Sequence, residues 1–152
     1  MALPTTRWHV IAESRTPWEK EALDYLRDRL PDREPVRVWS NFEFIADDGS
    51  INEVDALVLT ATGFYLVEIK SRPGVIEGDA HTWSWHDAGR IVTDDNPLLL
   101  ANLKAKRLES LLRRQRAFQR GRVPFLDPLI FCSAPDQRSR RASPHSAWGR
   151  GR

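Results

Sequence analysis

Four charged side chains, Glu53, Asp55, Glu68 and Lys70, interrupt the otherwise apolar run NEVDALVLTATGFYLVEIKS at residues 52–71. Burying a charge is costly unless it is paired or bound, so these residues need a partner. An antiparallel hairpin turning at Ala61 and Thr62 sets Asp55 opposite Glu68 and Glu53 opposite Lys70. Alternation along the strands then puts all four on one face with Leu57, Leu59, Phe64 and Leu66. Val54, Ala56, Val58, Tyr65, Val67 and Ile69 take the other face, which is entirely apolar. Two carboxylates directly opposite each other repel. A hard divalent cation, Mg²⁺ or Mn²⁺, takes such oxygen ligands, and Lys70 is spaced to touch a phosphate oxygen beside it. The competing reading is a salt-bridge ladder on a solvated face. It accounts for Glu53 with Lys70 and leaves Asp55 opposite Glu68 unexplained.

The elements around the hairpin must place these groups. TPWEKEALDYLRDRLP carries helix signals: Thr16 as N-cap, Pro17 at the first position, Pro31 as a stop. At about 100° per residue, Trp18, Ala22, Leu23, Leu26 and Leu30 form one stripe, and Glu19 falls inside it. Glu19 is therefore either a third acidic group aimed at the site or half of a capping box with Thr16. VRVWSNFEFI reads as a strand, ADDGS as a turn, and INEVDALVLT and GFYLVEIKS as the hairpin strands. HTWSW and IVT form a small peripheral hairpin about HDAGR. DNPLLLANLKAKRLESLLRRQRAF is a second helix opening at Asn96–Pro97, and PLIFCS a buried last strand. The Arg/Ser/Pro-rich end has almost nothing to bury, which predicts a domain over 1–135 and a basic, disordered tail over 136–152.

With 152 residues, 41% of them hydrophobic, the chain is sized for one domain. A lone cysteine, Cys132, excludes an internal disulfide framework, and its apolar neighbours make it a small buried hydrophobe. No apolar run is long enough for a bilayer, and the first residues do not read as a signal peptide, so a cytoplasmic protein with no membrane partner is expected. Charge is uneven: residues 1–100 hold 10 Lys and Arg against 18 Asp and Glu, residues 101–152 hold 13 against 3. The excess sits largely on the second helix, where Lys104, Lys106, Arg107, Arg113 and Arg114 form either a phosphate-facing surface or a solvated helix face. Arg72, in the loop after Lys70, is within reach of a phosphate. Asp79, His81, His86 and Asp87 lack zinc spacing. Trp83 and Trp85 share a strand face, for packing over the sheet or for stacking bases.

The order Glu19, Asp55, then Glu68-Ile69-Lys70 resembles the PD-(D/E)xK nuclease superfamily. NEVDALVLTATGFYLVEIKSRPGVIEGDAHTW followed by DNPLLL resembles, more closely, the nuclease-related domain NERD, over roughly residues 16–118. That resemblance implies an α/β fold with a restriction-endonuclease-like αβββαβ core, a central mixed sheet flanked by helices. It also implies Mg²⁺- or Mn²⁺-dependent hydrolysis of phosphodiester bonds in DNA. Asp55 and Glu68 would bind the metal, Glu19 would be a further ligand or position water, and Lys70 would activate the water or steady developing charge. Trp18 stands where many members have Gly, and Leu100 where a Gln is expected. WSNFEFIADDG with LANLKAKRL is similar to the kinase-fused members associated with phage defence, which implies a kinase region or a defence-system partner. Two classes follow: a metal-dependent nuclease, or a non-catalytic nucleic-acid-binding or regulatory module at the N-terminal side of a kinase.

Overall fold

The computed structural model describes residues 2–122, 124–133 and 138–141, the last group by backbone alone. β1 (Trp8–Val10) leads to α1 (Pro17–Arg29) and then to β2 (Arg37–Ile45), β3 (Ile51–Thr60) and β4 (Gly63–Ile69). β5 (Val75–Gly78), β6 (Thr82–Asp87) and β7 (Arg90–Asp95) intervene before α2 (Pro97–Arg113), β8 (Leu126–Phe131) and β9 (Arg138–Arg141). The expected αβββαβ order is therefore present as α1, β2, β3, β4, α2, β8. A five-stranded mixed sheet runs β1-β2-β3-β4-β8, parallel at both outer pairs and antiparallel within. β1 was not expected, because three residues are too few to show a period.

The hairpin folds in the expected register: Ala56 pairs with Val67, Leu57 with Leu66 and Thr60 with Gly63. Ala56, Val58, Val67 and Ile69 pack with Ala22 and Leu23 of α1. Leu57, Phe64 and Leu66 pack with Ala101, Ala105 and Leu108 of α2. Each fully buried Val, Leu, Ile or Phe side chain here stabilises the fold by about 1.5–3 kcal/mol, so both helices are fixed against the sheet that carries the charges. Val54 departs from its expected face and joins Phe44 in the α2-side cluster. The change of face falls where Asn41 of β2 takes φ +54 and the β2–β3 ladder passes directly from Ser40–Ala56 to Phe42–Val54.

Both helices start as their sequences dictate. Thr16 Oγ1 accepts from Glu19 N at 3.3 Å, and Asn96 Oδ1 accepts from Leu98 N at 2.9 Å. Asn96 also donates to Asp79 O at 3.0 Å and, through its backbone, to His81 O at 2.8 Å. The start of α2 is thereby tied to a second sheet, ordered β7-β6-β5-β9. Its β6–β7 hairpin turns at Ala88 and Gly89, both with positive φ.

Three expectations are corrected. β8 is not a buried strand: it is a sheet edge, where Leu126 is buried but Leu129 is 42% exposed. Cys132, just past its end, is exposed rather than a buried hydrophobe. Part of the tail expected to be disordered forms β9, pairing parallel with β5 from Val75–Arg138 to Gly78–Arg141; ladder hydrogen bonds need no buryable side chains. The expected boundary at 135/136 and residues 142–152 lie outside the described residues. No helix among the described residues is long and apolar enough to cross a membrane.

Candidate active-site cleft

Beyond Ala56–Val67 the hairpin strands part. Asp55 no longer meets Glu68 in the ladder; instead its Oδ2 accepts from Ile69 N at 2.7 Å. β4 continues beside β8, pairing Glu68 with Ile130 and Ile69 with Phe131, and Lys70 N donates to Phe131 O at 2.9 Å. Between the diverging strands lies a cleft of about 860 Å³ whose charged lining comprises the acids Glu19, Glu53, Asp55, Glu68, Asp94 and Asp95 and the cations Lys70 and Arg72. Four side chains singled out as catalytic, Glu19, Asp55, Glu68 and Lys70, therefore share one cavity.

The cleft is an acidic cluster under strain. Burial pushes Asp55 up from 3.8 to about 6; the Ile69 N–H opposes this, the charges of Glu68 and Glu19 add to it, and Lys104 opposes it. Burial likewise raises Glu19, against the pull of Arg15 and the Asn41 side chain, with Glu53 and Glu68 adding. The cap of α1 is one-sided: Thr16 receives the Glu19 backbone N–H, while the Glu19 carboxylate faces the cluster. Glu53 does not pair with Lys70. The strands have separated before that point, and Glu53 binds Arg15 at 3.0 Å on the exposed side.

Glu68 is the best-partnered acid. Its Oε2 lies 3.3 Å from Lys104 Nζ and its Oε1 3.8 Å from Lys70 Nζ. Lys104 is buried, so the surface role expected for it does not hold. Its place was legible in one signal: Ala101, Lys104, Ala105 and Leu108 follow the spacing of a core stripe. The rest of the expected basic face is largely neutralised. Arg107 donates to Asn52 Oδ1 at 3.0 Å and faces Asp48 at 3.5 Å, Arg113 holds Glu109 at 2.7 Å, and Arg114 pairs with Asp47. Lys106 is exposed with no ion-pair partner among the described residues.

Arg72 lies with its guanidinium 5.3 Å from the centroid of the Trp85 ring. Trp85 is buried and tilts against Trp83 at 6.1 Å, so packing is its main role. Asp79 is consumed as a turn acceptor for His81 N and Thr82 N, and His86 faces Glu77 at 3.5 Å. Among the described residues no group of three or more His, Cys, Asp or Glu is assembled to hold a metal ion. That covers the Asp79–Asp87 run, and it covers Glu19, Asp55 and Glu68 as they stand, with Asp55 tied to a backbone N–H and Glu68 to two lysines. The donor chemistry nevertheless fits a hard divalent cation: only oxygen, in three carboxylates whose mutual repulsion a cation relieves.

The chain matches the model of the nuclease-related domain, NERD, over residues 14–133. It is also 41% identical over 112 residues to a protein of Streptomyces coelicolor named probable kinase PglW. That match covers 73% of this chain and 7% of the relative, so the chain spans only a small part of the relative's length. No solved structure matches the chain. With its αβββαβ core and an acidic cleft at the hairpin's open end, the chain belongs to the nuclease-related domain family.

Proposed function

We propose that the cleft hydrolyses phosphodiester bonds in DNA with the help of Mg²⁺ or Mn²⁺. The observation that carries this reading is the convergence of Glu19, Asp55 and Glu68 in one cavity beside Lys70. Asp55 and Glu68 would hold the metal, with Glu19 as a further ligand or a hydrogen-bond acceptor for water. Bound there, the ion supplies a Lewis acid and lowers the pKa of a coordinated water. Lys70 donates to a non-bridging phosphate oxygen or to the attacking water and offsets the charge that develops in the transition state. Lys104 fixes Glu68 through Oε2, leaving Oε1 on the Lys70 side. Arg72 extends the positive edge of the cleft toward the next phosphate. Of the α2 cations, Lys106 alone keeps a surface role, since the other four are engaged by Glu68, Asp48, Glu109 and Asp47.

A second reading rests on the kinase named among its relatives: a nucleic-acid-binding or regulatory module that precedes a kinase region in a longer cytoplasmic protein. A place in phage defence follows from its likeness to kinase-fused members, and it suits either reading. Thermal melting separates the two. A ligand that binds only the folded state stabilises it by about 2.7 kcal/mol at a hundred times its Kd. Mn²⁺ or Mg²⁺ should raise the melting temperature of the native chain and leave Asp55→Asn and Glu68→Gln unmoved. A metal response absent from the native chain, or equal in all three, overturns the nuclease reading.

A further inference from the structure

We infer that the cleft takes an unpaired nucleic-acid strand, bases against its apolar walls, rather than an intact duplex. This rests on the nuclease reading and names the substrate of the same site. The first observation is the composition of the walls. Trp18, Leu99, Leu100 and Leu103 line the cleft that holds Asp55 and Glu68, yet they are 56%, 53%, 52% and 44% exposed. Large apolar side chains left in water around a charged floor mark a contact surface. A duplex hides its base faces in the stack and presents phosphates, whereas an unpaired strand presents a π-face at every base.

Second, Arg72 lines the same cleft with its guanidinium 5.3 Å from the centroid of the buried Trp85 ring on the small sheet. An Arg guanidinium held beside a ring in this way offers a plane on which an unpaired base can stack. Third, the face that would grip a duplex backbone is engaged elsewhere, because Arg107, Arg113 and Arg114 are paired with Asp48, Glu109 and Asp47. Fourth, about 860 Å³ is the size of a small-ligand pocket. It has room for a few nucleotides.

Fluorescence anisotropy tests this with short labelled oligonucleotides: a single strand as DNA, the same strand as RNA, and a duplex of the same composition. Each is titrated at low salt in Ca²⁺ and again in chelator. Tight binding of either single strand supports the inference, and the two sugars decide which polymer is the substrate. We expect the better single strand to bind at least about tenfold tighter than the duplex, and Trp18→Ala to remove about tenfold of that, the scale of one stacked base. Trp18 is exposed, so its variant should melt as the native chain does. Equal or tighter duplex binding overturns the inference, as does single-strand binding indifferent to Trp18→Ala. Cleavage of duplex alone would also overturn it while leaving the nuclease reading intact. Failure of every oligonucleotide to bind overturns both, and makes the apolar rim a protein contact.

Discussion

Replacing Lys104 with Met keeps the stem and deletes the charge, which isolates what the ammonium does for Glu68. The two side chains are 11% and 12% exposed, with Nζ 3.3 Å from Oε2. Removing one partner of a buried pair costs about 3–5 kcal/mol, because the other charge is left uncompensated. One feature shrinks the loss: Lys70 remains 3.8 Å from Oε1 and offsets part of the uncompensated charge. We therefore expect Lys104→Met to lose about 2–3 kcal/mol in chelator at neutral pH. With urea slopes of about 1–3 kcal/mol/M, the midpoint should fall by roughly 1 M or more. Lys70→Met should lose less than about 1 kcal/mol, because its side chain is 38% exposed and its oxygen contact is longer. Combining Lys104→Met with Glu68→Gln should recover at least about 1 kcal/mol of the summed losses, since the two groups are in direct contact. Equal losses from the two lysines, or an additive double mutant, would refute the claim that Lys104 belongs to the acidic cluster.

Asp55→Asn keeps an acceptor for Ile69 N and removes the charge. Because folding raises the Asp55 pKa from 3.8 to about 6, the folded state binds the extra proton between those values and is penalised above them. In chelator the variant should therefore exceed the native chain by up to about 3 kcal/mol at pH 7, with the gap closing toward pH 4. A gap that stays constant with pH contradicts the assignment. Gly63 has φ +136, and an added Cβ would lie 2.5 Å from Phe125 O; Gly63→Ala should lose more than about 2 kcal/mol in a thermal melt, and a near-neutral result would show that the β4–β8 entry can relax. Replacing Arg113 and Arg114 together with Ala should change the salt slope of nucleic-acid binding by less than about 1, where two free phosphate contacts would remove nearly 2.

Much of the site was legible because it obeys local rules. Strand alternation and a two-residue turn account for the hairpin register from Ala56–Val67 to Thr60–Gly63, and Thr16 and Asn96 mark both helix starts. What escaped was long-range. Asp55 leaves the ladder because a side-chain oxygen replaces a backbone acceptor at Ile69, which no alternation pattern reveals. Arg107 and Arg114 are paired with Asp48 and Asp47, in a turn far away in sequence. By type Lys104 belongs with the surface cations, whereas its spacing places it on the buried stripe. Short strands such as β1 and β9 carry no period of their own and form at the open edge of a sheet.

The most direct measurement is strand cleavage by the purified chain, using labelled single-stranded DNA and a supercoiled plasmid in parallel, with Mg²⁺ or Mn²⁺ and with chelator. Hydrolysis should appear only with metal. It should be lost in Asp55→Asn, Glu68→Gln and Lys70→Met under conditions where each variant remains folded, while binding of the DNA persists in Lys70→Met. No metal-dependent hydrolysis of any substrate by a folded, DNA-binding native chain, or hydrolysis that survives Asp55→Asn and Glu68→Gln, would contradict the assignment of chemistry to this cleft.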